Sequence, residues 1–224
     1  MLSARRNINV AIDGPAGAGK STVAKLVAGE LGFRYLDTGA MYRALTYLVI
    51  ERGIDPQDEK TIAELSLTMQ FGLDPASRLT LAGVVLGEEI RSPQVSALVS
   101  LVSSHRAVRE AIVHMQQVMA REGGIVMDGR DIGTTVMPDA EVKIFLTADI
   151  RERARRRWLE MNEKGYRVDI EEMVATIEKR DRFDSSRETS PLRPAEDALI
   201  LDSTSLTLGE VVQQILNIIN ERQA

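Results

Sequence analysis

Gly14-Pro-Ala-Gly-Ala-Gly-Lys-Ser21 satisfies the pattern G-x-x-x-x-G-K-[ST] at every fixed position. Glycines at this spacing let backbone N–H groups curl around a phosphate without Cβ clashes. Lys20 brings a cation to the β- and γ-phosphates of a nucleoside triphosphate, and the Ser21 hydroxyl is a ligand for Mg²⁺. Contact with the triphosphate is expected from Gly14, Pro15, Ala16, Gly17, Ala18, Gly19, Lys20, Ser21 and the adjacent Thr22. Arginine is the second chemical signal. Nine arginines lie between Arg151 and Arg187 in a chain of net charge −5. A local site for a small polyanion explains such a cluster; for most of the nine, a solvated helix face with i,i+4 ion pairs is the plainer reading. Histidine is scarce: His105 and His114 sit in a helical stretch and read as structural or solvated. There is no cysteine, which excludes disulfides and Cys-ligated zinc.

These residues need elements to hold them. Ile8–Ile12 reads as an apolar strand running into the glycine loop, and Lys20–Leu31 as a helix with Val23, Leu26, Val27 and Leu31 at helical spacing. That helix points its N-terminal dipole at the same anion. Phe33–Leu36 reads as a second strand, followed by a helix capped at Asp37 or Thr38 and running to about Arg52. Ile125–Met127, Val142–Leu146 and Leu199–Leu201 read as further buried strands, with helices at about 149–163, 170–185 and 208–221. Strands alternating with helices predict an α/β fold with a parallel sheet covered on both faces. The rhythm breaks at Leu67–Leu73, Arg78–Leu81 and Val84–Leu86, which predict a small antiparallel meander. A helical stretch from about Pro93 to Arg121 follows.

A chain of 224 residues with 44% apolar residues is one ordinary α/β domain with room for a small insert. No run approaches the ~20 apolar residues of a membrane span. Met1–Arg6 is positive but has no apolar run behind it, so the expectation is no signal peptide and a cytoplasmic protein. A monomer is expected, since no unpaired apolar repeat stands out.

After the glycine loop come Asp37-Thr-Gly-Ala-Met-Tyr-Arg43, Asp128-Gly-Arg-Asp-Ile-Gly-Thr134, Lys143-Ile-Phe-Leu-Thr147, Arg180-Asp-Arg-Phe-Asp-Ser-Ser-Arg187 and Leu201-Asp-Ser203, in that order. From Ile8 to about Ile219 the chain resembles the bacterial-type cytidylate kinases of the P-loop nucleoside monophosphate kinase superfamily. The resemblance implies ATP as phosphoryl donor with Mg²⁺, and CMP or dCMP as acceptor. It implies a core at about 7–60 and 106–224, an NMP-binding insert at about 61–105 and an Arg-rich lid at about 151–168. It places Thr38, Arg43, Arg130 and Arg187 on the acceptor phosphate, Ser100, Arg109 and Asp131 on the base, and Arg180 and Asp184 on the sugar. Asp128, just past an apolar strand, suits a carboxylate that touches Mg²⁺ with Ser21, and equally a helix cap or a partner for Arg130.

Arg153 and Arg157 lie four apart on one helix face, with Arg156 beside them, and are expected to stabilise the transferred phosphoryl group together with Lys20. A kinase of another small acceptor, a nucleotide-binding switch without kinase activity and an RNA-binding arginine helix are the competing readings. No aromatic platform accompanies the arginines, which speaks against RNA.

Overall fold

A computed structural model describes residues 7–163 and 165–223. Met1–Arg6, read above as carrying no leader, and Lys164 of the expected lid lie outside them. The apolar run before the glycine loop forms β1 (Asn9–Asp13), whose last four residues are buried. Val10 and Ile12 pack on one face of the sheet and Ala11 on the other, as the two-residue period of a strand dictates. It is the middle strand of a five-stranded parallel sheet of order β2-β6-β1-β7-β8. Its companions are β2 (Arg34–Asp37), β6 (Ile125–Gly129), β7 (Val142–Thr147) and β8 (Leu199–Asp202). The register sets Asp37 and Ile12 on either side of Asp128, so carboxylates from neighbouring strands meet at the carboxyl ends. That edge is where open parallel sheets bind ligands.

Helices α1 (Lys20–Leu31) and α8 (Leu208–Gln223) cover one face through Val23, Val27, Ile215 and Ile219. Helices α2 (Thr38–Glu51), α3 (Glu59–Leu67), α4 (Pro93–Val102) and α5 (Arg106–Ala120) gather on the other around Leu36, Met41, Leu45, Ile62 and Ile112. Between α3 and α4 lies the antiparallel meander β3 (Phe71–Leu73), β4 (Leu79–Leu81), β5 (Val84–Val85). Asp74 closes its first turn by accepting from the backbone N–H of Ala76 and Arg78. Helices α6 (Ile150–Glu163) and α7 (Ile170–Ser186) pack on each other through Ala154, Met173 and Ile177, and Ala16 of the glycine loop joins that cluster.

The sequence reading differs from the structure in two places. Leu67, expected to open a strand, ends helix α3, whose N-cap Asp58 accepts from Thr61 N. The single helical stretch from Pro93 to Arg121 is two helices broken at Ser103–His105, where the Ser103 and Ser104 hydroxyls donate to the carbonyls of Ser100 and Leu101. Hydroxyls that bond locally give the backbone an alternative to continuing the helix.

Candidate active site

A cleft of about 1800 Å³ opens at the carboxyl edge of the sheet. Ala16 to Thr22 line one end of it, whereas Gly14 and Pro15 do not. Gly14, at φ +149°, has no room for a side chain, because a Cβ there would stand 1.9 Å from Leu146 O. The first turn of α1 receives no side-chain cap from Gly19, which leaves its N–H groups to an anion. Lys20 Nζ folds back on Pro15 O at 2.7 Å. Burial, reinforced by Arg130 and Arg180, holds the Lys20 ammonium below the usual lysine range. An incoming phosphate would offset that cost.

Ser21 Oγ donates to Asp128 Oδ2 at 2.8 Å, and Tyr35 OH donates to Asp128 Oδ1 at 2.8 Å. Burial and the neighbouring Asp37 hold the Asp128 carboxyl above the ordinary aspartate range, the setting in which a cation is welcome. No three Asp, Glu or His side chains cluster as metal ligands among the described residues. Mg²⁺ needs few protein ligands, because it keeps several waters and leans on substrate phosphates. The Ser21 and Asp128 oxygens fit that demand. Tyr35 carries no sequence signal; it is an ordinary strand residue until the register places it beside Asp128.

The other end of the cleft holds every acceptor residue expected from the sequence: Thr38, Arg43, Ser100, Arg109, Arg130, Asp131, Arg180, Asp184 and Arg187. Thr38 Oγ1 donates to Asp128 O at 2.7 Å. Arg43 pairs with Asp37 at 2.7 Å, and Arg91, which the sequence reading passed over, reaches the same oxygen at 3.5 Å. Arg130 Nε meets Asp184 Oδ2 at 2.8 Å. Burial alone would raise the Asp184 pKa, but Arg130, Arg187 and Arg180 pull it below the ordinary value. Arg43 Nε, Arg180 Nε and Arg187 Nη2 are buried with no protein partner. Burial, then Arg130, push the Arg180 guanidinium down to about 10. Unpaired guanidinium donors and crowded like charge in one cleft suit a polyanionic ligand.

Deeper in, Arg109 Nη2 binds Asp131 Oδ2 at 2.5 Å, and both side chains are buried. Arg109 also donates to Ser103 O and lies over the Tyr42 ring, 5.4 Å from its centroid. The Arg109–Asp131 pair gives this part of the cleft a carboxylate held in place by a buried guanidinium.

The arginines of α6 divide. Arg155, Arg156 and Arg157 line the cleft and Arg153 does not. Arg156 is held to Glu152 and to Ser203 Oγ and O. Arg157 pairs with Glu160 at 2.6 Å. Arg153 is turned inward, donating to Ala148 O, Ala16 O and Asp181. Arg153 and Arg157, expected to act together on a transferring phosphoryl group, have different surroundings: α6 packs by Ala154, and Arg153 is held against Ala16 of the glycine loop while Arg157 lines the cleft. Arg151 makes a surface bridge to Glu171.

Comparison with known proteins follows the same outline. A crystal structure of an uncharacterised protein from Eubacterium ventriosum shares the fold, with a TM-score of 0.53 at 13% identity over 96% of this chain and 99% of that one. The chain is 52% identical to the cytidylate kinase of Caldicellulosiruptor bescii over 95% of its own length and 96% of that protein's. It is 51% identical to the cytidylate kinase of Bacillus cereus over 96% and 97% of the two lengths. The cytidylate kinase family model matches residues 10–221, from the middle strand to the last helix. Identity at this level along nearly the whole chain, on a cleft with a phosphate loop at one end and an arginine-lined pocket at the other, places the protein in the cytidylate kinase family.

Proposed function

We propose that this chain transfers the γ-phosphate of ATP to CMP or dCMP, giving CDP or dCDP and ADP. The observation that carries the acceptor half is the set of buried, partnerless guanidinium nitrogens on Arg43, Arg180 and Arg187. A nucleoside monophosphate brings a phosphate that is a dianion near neutral pH, since its second pKa is about 6. Planar guanidinium forks match its oxygens. In this reading Thr38, Arg43, Arg130 and Arg187 hold that phosphate, and Arg180 and Asp184 hold the sugar. Asp131 accepts from the cytosine 4-amino group, with Arg109 fixing the carboxylate and Ser100 closing the base pocket.

At the donor end, the 14–22 loop and the α1 N-terminus take the triphosphate, with Lys20 leaving Pro15 O for the β/γ-phosphates. Mg²⁺ held by Ser21 and Asp128 would neutralise charge on those phosphates. The acceptor oxygen is already anionic, so no general base is needed. His105, whose Nε2 is engaged with Pro56 O, has no part in the chemistry. Arg157 is the lid residue assigned to the transferring group, because of the expected pair Arg153 and Arg157 it is the one that lines the cleft. The lid is taken as 151–168 and the NMP-binding insert as 61–105. Phosphoryl transfer asks for positioning and charge neutralisation, which these residues supply. The enzyme is taken as a cytoplasmic monomer.

A substrate panel tests this: ADP release from Mg·ATP against CMP, dCMP, UMP, AMP and GMP. Uracil presents a carbonyl where cytosine presents an amino group, and would face Asp131 with no proton between them. UMP should lose on the order of 10²-fold or more in kcat/KM. Equal kcat/KM for UMP and CMP would remove the role given to Asp131.

A further inference from the structure

Helix α7 carries a residue with no role so far. Asp181 accepts the backbone N–H of Ala16 at 3.0 Å through Oδ1, and its Oδ2 meets Arg153 Nη1 at 2.5 Å. The same Arg153 nitrogen donates to Ala16 O at 2.9 Å, while its Nε is bound to Ala148 O at 2.8 Å. The Ala16 residue of the phosphate loop is thus gripped at both its N–H and its C=O by one ion pair reaching from α6 and α7. Its methyl group sits with Ala154, Met173 and Ile177 of the same two helices. Gly17 lies so close to α6 that a Cβ would stand 2.9 Å from Arg153 O. Arg153 and Asp181 are both largely screened from solvent, with side chains 9% and 19% exposed. Their attraction is therefore weakened less by water and salt than a surface pair's.

The position of Asp181 along α7 gives the grip a consequence. Arg180 precedes it, Asp184 lies one turn on, and Arg187 follows the helix; all three line the acceptor end of the cleft. One rigid element therefore touches the donor loop through Asp181 and the acceptor pocket through its neighbours. We infer that the Asp181–Arg153 pair positions the phosphate loop on α7 and couples the two half-sites, so that donor occupancy raises acceptor affinity. The mechanism is prepayment of ordering. A triphosphate that settles the loop also settles α7 and its arginines, and the monophosphate then pays less to bind. By linkage the effect is reciprocal. The inference rests on the kinase reading of the two half-sites.

Titration calorimetry of CMP, with and without a non-hydrolysable ATP analogue and Mg²⁺, reads the coupling directly. In the wild type the analogue should tighten CMP on the order of 10-fold. Asp181→Asn keeps an acceptor for Ala16 N–H but turns an amide NH₂ toward Arg153. In that variant the analogue should change CMP affinity by less than about twofold, while CMP alone binds as in the wild type to within about twofold. Hydrogen exchange at the Ala16 amide should rise in the same variant. Should Asp181→Asn not fold, Arg153→Lys gives the same reading, since it keeps the charge and loses the fork that reaches Ala16 and Ala148. Wild-type coupling in either folded variant, equal loss of CMP affinity with and without the analogue, or a wild type with no coupling overturns the inference. A wild type that turns over no CMP removes the kinase reading instead.

Discussion

Lys20 is bound to its own loop, at Pro15 O. Triphosphate binding must exchange that bond for phosphate oxygens, and burial makes the exchange favourable by ending the isolation of the ammonium. Lys20→Ala should lower kcat/KM for ATP on the order of 10²-fold or more, the scale of losing one preorganised donor. Near-normal turnover in the ADP-release assay would refute it. Asp131→Asn tests the base pocket from the protein side. An amide can offer N–H to the uracil carbonyl, so the CMP-over-UMP preference should shrink by at least ~10-fold. Because Arg109 loses its buried partner, CMP turnover should fall as well; a variant that still rejects UMP as strongly as the wild type would overturn the assignment. Glycines, a lysine and a serine at fixed spacing are legible in the sequence because the chemistry tolerates few other residues there. Arg153 was not: i,i+4 spacing says which residues share a helix face, not which way that face turns. Asp181 was quoted within a motif yet carried no role, since the sequence does not say that Ala16 lies above it.

The same asymmetry holds for elements. The strands and the long helices of the core were legible to within a residue or two, because their apolar runs are bounded by turn residues and caps. Helix α3 was not, because its nine residues follow an acidic polar stretch and end on a leucine that also suits a strand. The break between α4 and α5 carries no glycine or proline, only the serine hydroxyls that bond back to the preceding turn. Within α6 a local charge arrangement makes a pH prediction. Hydrogen bonds from Arg155, joined by those from Arg156, hold Glu152 down at about 2, against an ordinary 4.5. A depressed folded pKa binds the proton more weakly in the folded than in the unfolded chain. Its stabilisation is therefore complete above pH 4.5 and lost as pH falls toward 2. Glu152→Gln removes that dependence. Urea midpoints of the two proteins should differ above pH 4.5 and converge by pH 2, with a gap of no more than ~1 kcal/mol because the Arg155 side of the pair is solvated. A gap that stays constant across this range would count against the assignment.

Across the whole molecule, a parallel sheet with helices on both faces was legible from the alternation of strands and helices. The order of its strands was not, because alternation says nothing about which strand lies beside which. That order has a consequence for how the protein is made. The first two strands do not touch each other: β6 lies between them, pairing Asn9 and Arg34 alike with Ile125. A growing chain therefore carries its first two strands without a sheet partner until residue 125 has left the ribosome. At ordinary elongation rates of 5–20 residues per second, that wait is roughly 5 to 25 s. Stalled nascent chains ending before β6 emerges should be cut freely by protease in the β1 region, and chains extended past β7 should be protected there. Protection of the shorter chains would show that the early segment finds a fold of its own. During that interval the phosphate loop has a sequence but no platform, so a translating ribosome carries a future ATP site that cannot yet hold ATP.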